Sequence, residues 1–171
     1  MQSRDNLMYA YEATLESSST YQLFRALDVC EALSSQESMM LFSCFNVVVV
    51  SADDLLYQAG ERSDQMVRLV ITGCISVSTL LNKNYIELGA GDTFGLFSFL
   101  DEKRTHSACL VAITDAVLLT LDRDYFNLIT LEDPVLGNQL LRFMFRLLSR
   151  MSLKLETEYV AVAHHLSVRS A

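Results

Sequence analysis

Phe94-Gly95-Leu96-Phe97-Ser98-Phe99-Leu100, followed by Arg104-Thr105-His106-Ser107-Ala108, is the stretch that decides the reading of this chain. Working outward from it, the neighbouring segments alternate short apolar runs with turn residues. Gly89-Ala90-Gly91-Asp92 reads as a turn just before it, and Tyr85 to Leu88 as a strand before that. Leu81-Asn82-Lys83-Asn84 is a polar hairpin tip, and Val67 to Thr72 and Cys74 to Leu80 are two strands divided by Gly73. Further back, Leu55-Leu56-Tyr57 is a short strand ending at Ala59-Gly60-Glu61, and Val47 to Val50 is a β-branched run. On the other side, Ser107 to Ile113 and Ala116 to Leu121 form a last pair joined at Thr114-Asp115. Many short strands at close spacing predict a sandwich or a jelly-roll barrel.

The ends of the chain carry helical periodicity instead. Leu7, Met8, Tyr11 and Leu15 sit at helical spacing in an N-terminal extension, 1–20. Ser17-Ser18-Ser19-Thr20 offers an N-cap for an apolar helix holding Leu23, Phe24 and Leu27. Ser34 or Ser35 caps a second helix with Glu37 in its first turn. Arg123 to Ile129 is a short helix, and Asp133-Pro134 starts a long one expected to reach about Glu158. The main domain is therefore set at 21–158, with 159–171 as a tail.

Within the strands, period-two spacing assigns Val47, Val49, Leu69, Ile71, Ile75, Val77, Phe94, Leu110 and Leu119 to the barrel core. On the long helix, Leu140, Met144, Leu147 and Met151 form an a/d-type seam, with Leu141, Phe145, Leu148 and Leu155 as a second apolar row. Two rows call for two partners: the barrel, and a second copy or a neighbouring domain. The alternative is that both rows pack within the chain under the N-terminal helices. Arg142, Arg146 and Arg150 are expected on the polar flank, facing the acidic remainder of the protein.

These residues resemble the cyclic nucleotide-binding domain family, the β-roll of CRP and PKA-regulatory type, over roughly Leu23 to Leu155. Leu23-Phe24-Arg25-Ala26-Leu27 resembles the family's opening helix. Asp54 to Glu61 resembles its Glu-x-Leu-Phe-x-Glu-Gly-Asp turn, and Leu88 to Gly95 its Leu-Gly-x-Gly-Asp-x-Phe-Gly. Gly60, Gly73, Gly91 and Gly95 fall in order where the family bends its backbone, while Asp53 stands where it commonly has Gly. The resemblance implies a fold of mainly β structure with flanking α-helices: a double-stranded β-helix or jelly-roll barrel with N-terminal helices and a long C-terminal helix. It also implies that the long helix mediates dimers.

The opening stretch is similar to the family's phosphate-binding cassette, Phe-Gly-Glu-Leu-Ala-Leu and then Pro-Arg-Ser-Ala-Thr. There the Glu holds the ribose 2′-hydroxyl, the Arg pairs with the cyclic phosphate, and a helix N-terminus faces the anion. Leu96 occupies the Glu position. Counting back from Ala112 sets His106 over the Arg, whereas counting forward from Gly95 sets Thr105 there; Arg104 is displaced in both registers. The implied ligand site, Gly95, Leu96, Phe97, Arg104, Thr105, His106 and Ser107, is thus a degenerate cassette. Losing both charged partners weakens cyclic nucleotide binding by a factor of ~10³ or more. A looser likeness, Glu132-Asp133-Pro134 with Leu136, Leu140, Arg142-Phe143 and Arg146-Leu147-Leu148, links the tail to domains attached to sulfate-permease-type transporters.

Composition excludes several rivals. A formal net charge of −8 argues against a nucleic-acid surface. About fifteen residues follow Glu156, too few for a helix-turn-helix. A metal cupin needs His-x-His on a barrel strand, but the histidines are His106, His164 and His165. His106 and Ser107 point to opposite faces of a strand and cannot join Asp115 in a triad. No catalytic residue and no cofactor are expected. Cys30, Cys44, Cys74 and Cys109 lack metal spacing and read as reduced, buried thiols of a cytoplasmic protein. No apolar run spans a bilayer, so any place at the cytosolic face of a membrane requires a larger protein. The sequence thus predicts a non-catalytic regulatory or assembly domain with impaired or lost nucleotide binding. The alternative is a working cyclic nucleotide receptor with a non-standard pocket.

Overall fold

The computed structural model describes residues 17–79, 86–101 and 103–169, with side chains through residue 157. The expected helix at Leu7 to Leu15 and the hairpin tip at Leu81 to Asn84 lie outside the described residues. The chain starts with helix α1 (Ser19–Arg25), a 3-10 turn (Asp28–Cys30) and α2 (Ser35–Ser43). Ser18 caps α1 by accepting from the Tyr21 N–H. Ser34 and Glu37 close a reciprocal capping box on α2. The Arg25 guanidinium donates to the Cys30 and Leu33 carbonyls, at 2.8 and 3.0 Å, and so fixes the turn between the two helices.

Eight strands follow among the described residues: β1 (Asn46–Val50), β2 (Leu55–Tyr57), β3 (Met66–Thr72), β4 (Ile75–Ser78), β5 (Ile86–Leu88), β6 (Thr93–Phe94), β7 (Cys109–Ala112) and β8 (Ala116–Asp122). Helix α3 (Leu96–Leu100) lies between β6 and β7. They form two antiparallel four-stranded sheets, ordered β1-β8-β3-β6 and β2-β7-β4-β5. A β-roll fits this arrangement, but the expected closed barrel does not: no ladder joins the two sheets among the described residues. β6 has two residues and β2 three, with a register shift inside the β2–β7 pair. Such short edges cannot carry pairing around a closed barrel. The class is mixed α/β rather than mainly β. Helix α4 (Arg123–Glu132) and helix α5 (Pro134–Arg169) complete it, and α5 runs past the expected end near Glu158. Asp122 caps α4, and Asp133 accepts from the Val135 and Leu136 N–H groups at the start of α5.

The core has two layers. Between the sheets lie Val50, Val70, Ile75, Phe94, Leu110 and Leu118. Between the first sheet and the helices lie Val67, Leu69, Ile71, Leu119 and Leu121, facing Phe24, Phe42, Phe143 and Leu147. Strands β3 and β8 are thus covered on both faces. The expected core residues divide accordingly. Ile75, Phe94 and Leu110 sit between the sheets, and Val77 is half-buried there. Leu69, Ile71 and Leu119 are buried, but against helices. Val47 and Val49 are exposed, at 47% and 73%. They lie on edge strand β1, paired with β8 alone, and only Val50 of that strand turns inward. A run of four valines offers no alternation from which a buried face could be read.

The long helix turns its two rows to different surroundings. Leu140, Met144 and Leu147 are buried in the chain's own core beside Phe143, against Phe24, Cys30 and Phe45. Of the second row, Leu141 and Phe145 stay outside, at 50% and 67% exposed, whereas Leu148 is half-buried against the core. Arg150 reaches Asp28 at 2.8 Å, as a basic flank facing acidic surface would. The cysteines are free, Cys30 and Cys44 buried and Cys74 and Cys109 half-buried, so the expectation of burial holds for two of them. Burial pushes the Cys30 and Cys44 thiols up to about 11.

Asp53 takes φ 69°, the left-handed region, where the family commonly has Gly. An aspartate thus holds a backbone conformation that glycine adopts freely. The Asp53 N–H donates to the Ala112 carbonyl at 2.8 Å, and the Asp54 carboxylate accepts from the Ser51 N–H.

Candidate functional site

The stretch Phe94 to Leu100 folds as a turn into α3. Gly95 is the hinge, with φ 85°. A Cβ placed on it would lie 2.1 Å from the Met66 carbonyl oxygen, so the missing side chain lets α3 lie directly on β3. Phe99 is buried and meets Phe126 edge-on. Arg123 donates to the Phe99 carbonyl and holds its guanidinium over the Phe99 ring. The Ser98 hydroxyl donates to the Gly95 carbonyl at 3.0 Å. Leu96 is only 5% exposed and belongs to the core beneath the helices.

The loop after α3 is zipped onto the turn after β2. The His106 N–H donates to the Glu61 carbonyl, and the Gly60 N–H donates back to the His106 carbonyl. Ser63 N–H bonds the Arg104 carbonyl, and Thr105 bridges Arg62. The His106 imidazole is buried and stacks on Tyr57, with centroids 3.8 Å apart and planes 9° from parallel. Burial pushes the Tyr57 phenol above its usual range. Behind it, Arg68 pairs with Asp64. Burial acts to raise the Asp64 carboxyl, but the Arg68 bond and charge outweigh it and hold the group below its ordinary value.

Gly95, Leu96, Phe97, Arg104, Thr105, His106 and Ser107 all line one cavity of about 350 Å³. The structure therefore brings together every residue of the site read from sequence. Their side chains do different things. Leu96 and His106 are committed to packing. Arg104, Thr105 and Ser107 are exposed at the rim. The Arg104 guanidinium lies 5.4 Å from the centroid of the Phe97 ring. The opposite wall is apolar, built from Val77, Ile86, Leu88 and Leu110 of the second sheet.

Sequence reasoning missed the contribution of α5. Met151 and Leu155 line the same cavity, and Lys154 pairs with Asp92 at 2.8 Å. Asp92 also accepts from the Gly89 N–H, so one carboxylate ties the turn before the cassette to the long helix. Helical periodicity placed Met151 and Leu155 on apolar rows. Nothing local to Lys154 announces a partner 62 residues away. Among the described residues, no group of three or more His, Cys, Asp or Glu is placed to hold a metal ion, and no helix is long and apolar enough to cross a membrane.

Comparison with solved structures shows the same fold elsewhere. A cyclic nucleotide-binding domain from Methylobacillus flagellatus is 24% identical, with a TM-score of 0.64 over 84% of this chain and 80% of that one. The N-terminal domain of a transcriptional regulator from Streptomyces coelicolor is 20% identical, with a TM-score of 0.57 over 75% of this chain and 94% of that one. Thermus thermophilus catabolite activator protein is 25% identical at a TM-score of 0.55, with 77% of this chain covering 62% of that one. No curated protein is significantly similar to the chain. The profile of the cyclic nucleotide-binding domain matches residues 47–133, just over half of the sequence and all eight strands save the first residue of β1. A cavity framed by Gly95, the loop to Ser107 and the long helix lies largely within that match, and the chain belongs to the cyclic nucleotide-binding domain family.

Proposed function

We propose that this chain is a non-catalytic regulatory or assembly domain in which cyclic nucleotide binding is impaired or lost. The observation that carries this reading is the fate of the two charged positions. Where the family places a ribose-binding Glu, Leu96 packs into the core and offers no acceptor. Where it places a phosphate-binding Arg, the chain offers Thr105, bridged to Arg62, or His106, stacked on Tyr57. Unpaired ribose and phosphate groups would lose the charge-assisted bonds that make such sites tight. Calorimetric titration with cyclic AMP and cyclic GMP is expected to show no binding tighter than about 100 µM. Low-micromolar binding would instead support a receptor with a non-standard pocket.

The domain acts within a larger protein, and the likeness of residues 132–148 to transporter-attached domains supports that setting. Its association surface is the outer row of α5. Leu141 and Phe145, one helical turn apart and 50% and 67% exposed, are the centre of that contact, with half-buried Leu148 at its edge. A second copy would present the same apolar residues to it. Sedimentation equilibrium is expected to show a dimer that Phe145→Asp converts to a monomer, while Leu96→Ala leaves the oligomeric state unchanged. A wild-type monomer at high concentration would leave the row to a neighbouring domain of the same protein.

A further inference from the structure

We propose that the cavity takes a small molecule with an apolar body and a single anionic group, with Arg104 as its charge partner. The proposal rests on the reading that the pocket has given up cyclic nucleotide.

The apolar part follows from the walls. Val77, Ile86, Leu88 and Leu110 face the cavity from the second sheet, and Met151 and Leu155 meet it from α5. Three polar side chains of the lining are already engaged within the protein, and the Tyr57 and His106 rings are stacked on each other. Thr93 donates to the Arg68 carbonyl at 2.8 Å, Ser98 donates to the Gly95 carbonyl at 3.0 Å, and Asp92 is paired with Lys154. A sugar or a nucleobase brings several donors and acceptors that such walls leave unpaired, each at a desolvation cost. A hydrocarbon body brings none. About 350 Å³ lies within the range of small-molecule sites.

The anionic part follows from the rim. Arg104 makes no ion pair among the described residues, although the chain carries a formal charge of −8. Its guanidinium is steadied over Phe97, and the exposed Thr105 and Ser107 hydroxyls stand on the same rim. A planar fork flanked by two hydroxyls offers donors for a small oxyanion such as a carboxylate, whereas a cyclic nucleotide would also bring its ribose against Leu96, which has no acceptor to offer. An apolar ligand in contact with Met151 and Leu155 would also couple occupancy to the seat of α5.

The test uses octanoate and 1-octanol on the whole chain, with calorimetry and the Met151 methyl resonance as readouts. Octanoate is expected to bind saturably below about 1 mM, to shift the Met151 signal, and to bind at least about tenfold tighter than 1-octanol. Arg104→Gln, a substitution at an exposed side chain outside the core, is expected to abolish that preference while 1-octanol binding changes by less than about twofold. A preference that survives Arg104→Gln, equal binding of acid and alcohol, or binding without a Met151 shift would overturn the proposal. Absence of both octanoate and cyclic AMP binding would overturn this proposal alone. Micromolar cyclic AMP binding without octanoate binding would overturn the reading beneath it as well.

Discussion

Gly95→Ala is expected to destabilise the protein by about 2–5 kcal/mol. Two effects add. An L-residue at φ 85° costs about 1–2 kcal/mol in backbone strain. The new Cβ would also lie 2.1 Å from the Met66 carbonyl oxygen, in backbone that carries the β3–β8 ladder. Relieving that overlap by shifting α3 or β3 costs about 1–3 kcal/mol more. Gly60→Ala is the internal control. Gly60 has a similar φ of 89° but open space around its would-be Cβ, so only the strain of about 1–2 kcal/mol applies. Urea unfolding of the two variants separates the terms, and equal losses would show that α3 does not rest on β3 as described.

Phe143→Ala carries the second large effect, a loss of about 3–5 kcal/mol. Phe143 is 1% exposed, and its ring meets Phe24 at 5.8 Å and Phe45 at 6.1 Å. It is the point where α5, α1 and the end of α2 converge, so the cavity left behind cannot collapse without moving an element. Thermal unfolding should fall by about 6–20 °C, given roughly 2–4 °C per kcal/mol at this size. Phe145→Ala, two residues on and exposed, should change the melting temperature of the monomer by no more than about 2 °C. If the two substitutions cost the same, the rows of α5 have been assigned to the wrong faces.

That assignment marks where sequence stops being informative. The two rows of α5 have nearly equal hydrophobicity, and periodicity alone separates them without saying which meets the core. The outcome was decided by aromatic residues far off in the chain: Phe24, Phe42 and Phe45 fill the space that Leu140, Phe143 and Leu147 enter. The same holds for β3. Its alternation put Leu69 and Ile71 on one face, but a strand covered on both sides needs knowledge of the third layer to tell helix-side from sheet-side. Caps were more legible, because Ser34, Glu37 and Asp133 act within one helical turn of themselves. At the site, the residues were found because they are contiguous in the chain. The stacking of His106 on Tyr57 was not, because it depends on how the loop closes across 49 positions.

Helix α5 has one further consequence. Its 36 residues make a rod of about 54 Å, and Met151 and Lys154 sit near its middle, against the pocket and Asp92. From Met151 to Arg169 the backbone extends about 27 Å beyond that fulcrum. A reseating that tilts the rod by about 10° would sweep its far end through about 5 Å. The molecule therefore has a lever arm: a displacement too small to disturb the sheets becomes, at the tip, as large as the spacing between two neighbouring strands.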